Sequence, residues 1–174
     1  MIWTDPALPK LKTPPWDVLR NTPIRLGQLE MVVSPTQWEL IYASESFLGI
    51  VGGVRSGKSI GAALRGIRLS LWIPNNIGIV GRLYFTDLED TAQAIFNEYA
   101  ERTGMVKSKT TKETVLYCCD PKTGEILPSR QTSTVRFRHF ENIDHLKSQT
   151  FGWGWIEEAS ECSHKVFLRL ADRL

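Results

Sequence analysis

The sequence has no hydrophobic run that approaches the roughly 20 apolar residues of a membrane-spanning helix. Its first residues, MIWTDPALPKLKTPPW, carry prolines and an acidic residue where a signal peptide would have an uninterrupted apolar stretch. We therefore expect a protein that neither associates with a membrane nor is secreted.

Cysteine is scarce, and the three cysteines, Cys118, Cys119 and Cys162, form no C-x-x-C pair. Two adjacent cysteines cannot bridge each other without strain, and the spacing matches no zinc-binding pattern. Free thiols in a reducing cytoplasm are the expected state.

An excess of charge of either sign is also missing, since the formal net charge is +2 over 174 residues. This balance neither requires nor excludes a nucleic-acid partner, because a local basic face can lie within a near-neutral total. Apolar residues at 42% and charged residues at 23% are ordinary for a globular protein. The length suffices for one domain with a hydrophobic core.

Short apolar runs alternate with segments of helical periodicity, and this alternation predicts an α/β fold. Prolines in residues 1–30 predict an arm outside the core, with the core domain over residues 31–174. The apolar run 47–51, FLGIV, is predicted to be a strand buried on both faces, as in parallel sheets. The other predicted strands are 77–81, 114–118, 133–140 and 153–156, and the predicted helices are 35–44, 59–72, 86–102 and 163–174.

Two arginines, Arg65 and Arg68, lie off the apolar stripe of the predicted helix 59–72. This position predicts an exposed basic face, and contact with DNA phosphates is the alternative interpretation.

Residues 52–59, GGVRSGKS, match the phosphate-binding pattern G-x-x-x-x-G-K-[ST] in full. Glycines let backbone N–H groups turn towards phosphate oxygens, and the helix that follows directs its positive end at the anion. Lys58 is predicted to bind the β- and γ-phosphates, and the Ser59 hydroxyl is predicted to ligate Mg²⁺. An ordinary glycine-rich turn is the alternative interpretation.

The predicted strand 153–156 ends in two consecutive acids, Glu157 and Glu158. Hydrolysis of a nucleotide needs one carboxylate near Mg²⁺ and a second that orients or deprotonates water. Glu157 is therefore predicted to hold Mg²⁺, usually through water, and Glu158 to be the base. The alternative is that both residues only open the next, exposed helix.

From about Pro35 to its end, the chain resembles the ATPase domain of the large terminase subunit, the motor that packages DNA into tailed-phage heads. The resemblance rests on Ser34-Pro35-Thr36-Gln37 upstream of the loop, Arg55 inside it, Arg82 in IVGRLY, and ENIDHLKSQTFGWGWIEEAS before and through the acidic pair. It implies a P-loop NTPase fold of the motor type, with a mostly parallel central sheet flanked by helices and a catalytic glutamate.

The resemblance also implies roles for single residues. Gln37 would hydrogen-bond adenine, Arg55 would neutralise or sense the γ-phosphate, and Lys147 would reach the nucleotide of a neighbouring subunit. Terminases have an arginine at the position of Lys147, so an ordinary solvated lysine is the alternative, and Arg136 and Arg138 are rival candidates. The residues expected to hold the nucleotide are Gln37, Gly52, Gly53, Val54, Arg55, Ser56, Gly57, Lys58 and Ser59.

The function that the resemblance implies is Mg²⁺-dependent ATP hydrolysis that drives double-stranded DNA into a viral procapsid. The expected partners are DNA, further copies in a ring, a portal protein and a small terminase subunit, in the host cytoplasm. Terminases carry a coupling motif and a nuclease domain after the acidic helix, so we expect this chain, which ends at Leu174, to be a fragment. The alternatives are a helicase- or recombinase-like ATPase, or a nucleotide-binding assembly module without turnover.

Overall fold

A computed structural model describes residues 14–45, 47–53, 55–142, 146 and 149–174. The helices are α1 (Trp16–Leu19), α2 (Pro35–Tyr42), α3 (Lys58–Trp72), α4 (Phe85–Leu88), α5 (Ala94–Arg102) and α6 (His164–Ala171). The strands are β1 (Ile24–Leu26), β2 (Leu29–Met31), β3 (Ile77–Arg82), β4 (Val106–Lys109), β5 (Glu113–Tyr117), β6 (Thr132–His139) and β7 (Trp153–Ile156). Within these described ranges, no helix is long and apolar enough to cross a membrane.

The central sheet has five strands in the order β4-β5-β6-β3-β7. Strand β3 pairs in parallel with β6 and β7, whereas β5 pairs antiparallel with both β4 and β6. The predicted α/β class is confirmed, but the sheet is mixed rather than mostly parallel. Strands β4, β5 and β6 follow one another through loops without a helix, and such connections return the chain in the opposite direction.

Helices cover both faces of the sheet. Along β3, Val80 belongs to the core cluster formed with α3 and α5, whereas Ile79 belongs to a second cluster formed with α6. The indole of Trp153, on β7, lies against Gly66 of α3 and Gly78 of β3. A Cβ at Gly66 would approach the indole to 2.6 Å, and one at Gly78 to 2.2 Å. Because α3 begins at the predicted phosphate loop, this packing holds the loop close to β7.

The predicted strand over residues 47–51 is wrong. This segment has no strand pairing, and Phe47, Ile50 and Val51 are 56%, 36% and 100% exposed. A strand forms only where a neighbour supplies backbone hydrogen bonds, and β7 at the nearer end of the sheet pairs with β3 alone among the described strands.

The predicted arm over residues 1–30 differs from the structure in its described part. Strands β1 and β2 form an antiparallel hairpin whose residues Ile24, Leu26 and Leu29 are at most 4% exposed and belong to the main core. The Gln28 N–H donates to the Thr103 carbonyl at 2.8 Å, which fixes the turn to the end of α5. Alternating apolar residues around a glycine are a hairpin signal that outweighs the neighbouring prolines.

The prediction that Arg65 and Arg68 form an exposed face is also wrong, because the two residues are 0% and 4% exposed. Helix α3 packs against α2, α5 and the sheet, so its off-stripe positions meet neighbouring elements instead of water. Both guanidinium groups donate to backbone carbonyls in and just after α2.

Candidate nucleotide-binding site

The loop before α3 has the backbone shape that its sequence requires. Gly57 is the N-cap of α3 with φ 80°, and Arg55 has φ 63°, so both lie in the left-handed region. At Gly57 a Cβ would also approach Gln37 Nε2 to 2.6 Å, so glycine is needed there for two reasons. Gly52, Gly53, Arg55 and Ser56 are exposed, and this leaves the loop open to a ligand.

The Lys58 ammonium group folds back over the loop. Its Nζ donates to the Gly52 carbonyl at 2.7 Å, to the Gly53 carbonyl at 2.9 Å and to Ser56 Oγ at 3.4 Å. These neutral acceptors are weaker than a phosphate oxygen, because hydrogen bonds between two charged groups are the stronger ones. An anion at the loop would therefore compete well for Lys58.

Ser59 and Glu157 meet directly, although 98 residues separate them in the chain. The Ser59 hydroxyl donates to Glu157 Oε1 at 2.8 Å, and both side chains are half-buried. The Glu157 N–H donates to the Gly81 carbonyl at 2.8 Å, which extends the pairing of β7 with β3 by one residue. A carboxylate and a hydroxyl are thus held together beside the loop.

Hydroxyl and carboxylate oxygens suit Mg²⁺, which usually takes one or two protein carboxylates and completes its six ligands with phosphate and water. Among the described residues, no group of three or more His, Cys, Asp and Glu side chains can hold a metal ion. The residues at the loop therefore fit Mg²⁺ that arrives with a nucleotide, rather than a metal held by protein side chains alone.

Glu158 has φ 47° and ψ 54°, a left-handed conformation, and its side chain is exposed. The chain thereby turns sharply from β7 into a 3₁₀ turn, Ala159–Glu161. For a residue with a side chain this conformation costs about 1–2 kcal/mol, and such strain is found most often at functional sites.

Arg82, at the end of β3, is joined to the turn that follows Glu158. Its Nε donates to Glu161 Oε2 at 3.1 Å and its Nη2 donates to Glu161 Oε1 at 3.0 Å. This paired hydrogen bond raises the pKa of Arg82 and lowers the pKa of the Glu161 carboxyl. The charge of Glu158 also raises the pKa of Arg82, so the Glu158 carboxylate lies within electrostatic reach of the guanidinium. Sequence reasoning missed Glu161, because nothing in the local pattern shows a partner 79 residues away.

Gln37 lies beside the loop, as predicted, but both ends of its amide are engaged within the chain. Its Oε1 accepts from the Ser34 N–H at 3.0 Å, and its Nε2 donates to the Gly57 carbonyl at 3.2 Å. Ser34 Oγ in turn accepts from the Gln37 N–H at 3.3 Å, which completes a capping box at the start of α2.

Two of the predicted site residues, Val54 and Lys147, lie outside the described residues. The rival candidates on β6 are half-buried and bonded within the domain. Arg136 Nη1 donates to Gln149 Oε1 at 2.8 Å, and Arg138 Nη1 donates to the Phe137 carbonyl at 2.8 Å. Burial, together with the charge of Arg136, lowers the pKa of Arg138.

Among solved structures, the large terminase from a thermophilic bacteriophage resembles this chain, with a TM-score of 0.61 over 79% of its residues. The fold is similar to that of a phage large terminase. The two sequences are 12% identical over the match, so the likeness concerns the fold. The match covers 35% of the terminase chain, and the present chain therefore spans about a third of its length. No family model matches the sequence, and the comparison with curated protein sequences gives no match either.

Proposed function

We propose that this chain is a P-loop ATPase that binds and hydrolyses Mg-ATP as part of a terminase-type DNA-packaging motor. The observation that carries the proposal is the hydrogen bond of 2.8 Å between Ser59 Oγ and Glu157 Oε1. It joins the residue after the loop lysine to the first acid after β7, which is where a P-loop ATPase needs its metal-binding pair.

In this proposal, the loop N–H groups and the N-terminus of α3 receive the triphosphate, and Lys58 exchanges the Gly52 and Gly53 carbonyls for phosphate oxygens. The Ser59 hydroxyl and the Glu157 carboxylate hold Mg²⁺, which neutralises charge on the phosphates when bound. Glu158 accepts the proton of the attacking water. The exposed Arg55 guanidinium contacts the γ-phosphate and balances the charge that develops there.

The work of the motor belongs to a larger assembly. The chain spans about a third of the similar terminase, so movement of double-stranded DNA needs polypeptide and partners beyond it. We propose that copies form a ring in the host cytoplasm with a portal protein and a small terminase subunit, and that Lys147 of one copy reaches the nucleotide of the next.

The test is release of phosphate from ATP with Mg²⁺ by the wild type, Lys58→Ala and Glu158→Gln, together with nucleotide binding by each variant. Lys58→Ala should lose most of its ATP binding. Glu158→Gln should keep binding and lose hydrolysis by about 10²-fold or more, the scale of a positioned general base. Arg102→Gln, at an exposed position of α5, is the matched surface control. Unchanged ATP affinity in Lys58→Ala would refute the proposal.

A nucleotide-binding module without turnover is the second candidate. The observation that favours it is the exposed side chain of Glu158 in a strained backbone conformation, with Glu157 alone bonded to Ser59. Tight ATP binding with no phosphate release, even at high protein concentration and with added DNA, would support this candidate.

A further inference from the structure

Helix α2 contacts the phosphate loop at its N-terminal end. Gln37 Nε2 donates to the carbonyl of Gly57, which is the N-cap of α3 and the turning point of the loop. The helices approach closely here, since a Cβ at Gly61 would come within 2.8 Å of the Leu40 side chain. A shift of α2 would therefore move the backbone of the loop.

Two buried arginines of α3 fix the other end of α2. Arg65 Nη1 donates to the carbonyls of Leu40 and Ala43, both at 2.7 Å, and Arg68 Nη1 donates to the Ile41 carbonyl at 3.0 Å. Carbonyls in the last turn of a helix have no partner within the helix, and a cation there also complements the helix dipole.

Aromatic rings complete the surroundings of Arg68. Its Cζ lies 4.8 Å from the centre of the Tyr42 ring and 4.5 Å from the centre of the Trp72 ring. Burial lowers the pKa of Arg65 to about 10, with a further lowering by the charge of Arg68, so both guanidinium groups remain charged at neutral pH. Two buried charges directed at one helix end are costly to keep, and the proposed hydrolysis does not use them directly.

We propose that α2 is a brace for the phosphate loop. Gln37 holds Gly57 at one end of α2, and Arg65 and Arg68 fix the other end, so all three are positioning residues that act on triphosphate binding through the loop. The inference rests on the proposed function, because it concerns the same nucleotide site.

The bonding of Gln37 decides between this role and the reading of adenine. A base edge that paired with Gln37 would have to displace the Ser34 N–H from Oε1, or the Gly57 carbonyl from Nε2. A brace needs neither change. The two roles therefore predict different dependence on the base: a brace affects every triphosphate equally, whereas a reader of adenine affects ATP alone.

The test measures displacement of a fluorescent N-methylanthraniloyl-ATP from the 174-residue chain by ATP, GTP and inorganic tripolyphosphate, with Mg²⁺ present. Gln37→Ala and Arg68→Gln should each weaken all three ligands by a similar factor of about 5 to 10, the scale of one lost hydrogen bond. Arg102→Gln should weaken none of them. Weakening confined to ATP, or no weakening in folded Gln37→Ala, would overturn the proposal.

A double-mutant cycle adds a readout that a general loss of stability would not move. If the residues act through one helix, Gln37→Ala with Arg68→Gln should weaken tripolyphosphate by less than the product of the single effects. Full multiplication of the two effects would contradict a shared brace. Arg68→Lys keeps the charge and should recover part of the affinity, and it replaces Arg68→Gln in the cycle if circular dichroism shows the latter to be unfolded.

Lys58→Ala separates failure of the brace from failure of the proposed function. If Lys58→Ala binds all three ligands like the wild type, the phosphate site itself is wrong. If Lys58→Ala loses binding while Gln37→Ala and Arg68→Lys behave like the wild type, only the brace is wrong.

Discussion

At the scale of single residues, the candidate site combines one strained residue with one short side-chain contact. Glu158 is left-handed at φ 47°, and Glu157 before it is bonded to Ser59. The loop residues 52–59 and the acidic pair were predictable, because each is a short motif whose chemistry depends on residue type. Glu161, Arg65 and Arg68 were not predictable, because their roles depend on partners that only the folded chain brings near.

The backbone of Glu158 gives a prediction on stability. Glycine adopts the left-handed region without the steric cost of a Cβ, whereas alanine keeps that cost. Glu158→Gly should therefore be more stable than Glu158→Ala by about 1 kcal/mol, measured by urea unfolding. Equal stability of the two variants would show that the chain does not hold this residue left-handed.

The contact between Ser59 and Glu157 gives a prediction on metal dependence. Ser59→Ala and Glu157→Gln should each raise the Mg²⁺ concentration for half-maximal ATP hydrolysis, by roughly tenfold or more. A titration of phosphate release against Mg²⁺ measures this change. Ser108→Ala, at an exposed position of β4, is the matched control and should titrate like the wild type.

At the scale of elements, the predictions succeeded where one periodicity covers a whole segment. Helix α3 and strands β3, β6 and β7 lie within a residue or two of their predicted ranges. Strand β4, VKSK, was missed because it has a single apolar residue at a sheet edge. The run 47–51 failed for the opposite reason, since its apolar residues suit a strand but no described neighbour pairs with it.

The packing of Trp153 between α3 and β3 gives a prediction at this scale. Gly78→Ala would place a Cβ 2.2 Å from the indole, inside a rigid and fully buried contact. It should lower the free energy of unfolding by about 1–3 kcal/mol, the usual cost of overpacking. Gly49→Ala is the control, because a Cβ there meets nothing within 4 Å. Similar melting temperatures for the two variants would contradict the packing that holds α3 on β7.

At the scale of the whole molecule, the fold places the candidate site at the carboxyl ends of the parallel strands β3 and β7. Arg82 ends β3, Glu157 follows β7, and the loop opens α3 at the same edge of the sheet. Ligands of open α/β sheets generally bind at this edge. The meeting of two distant segments was therefore predictable from the strand pattern, whereas the antiparallel half of the sheet and the packed β1–β2 hairpin were not.

The central claim is that Ser59 and Glu157 form the metal end of a nucleotide site. The most direct measurement is a crystal structure of the chain with Mn²⁺ and a non-hydrolysable ATP analogue, in which anomalous scattering locates the metal. The account predicts an Mn²⁺ peak at the Ser59 hydroxyl, within direct or water-mediated reach of the Glu157 carboxylate, and the triphosphate along residues 52–58. An analogue bound elsewhere, or a metal distant from both side chains, would contradict it.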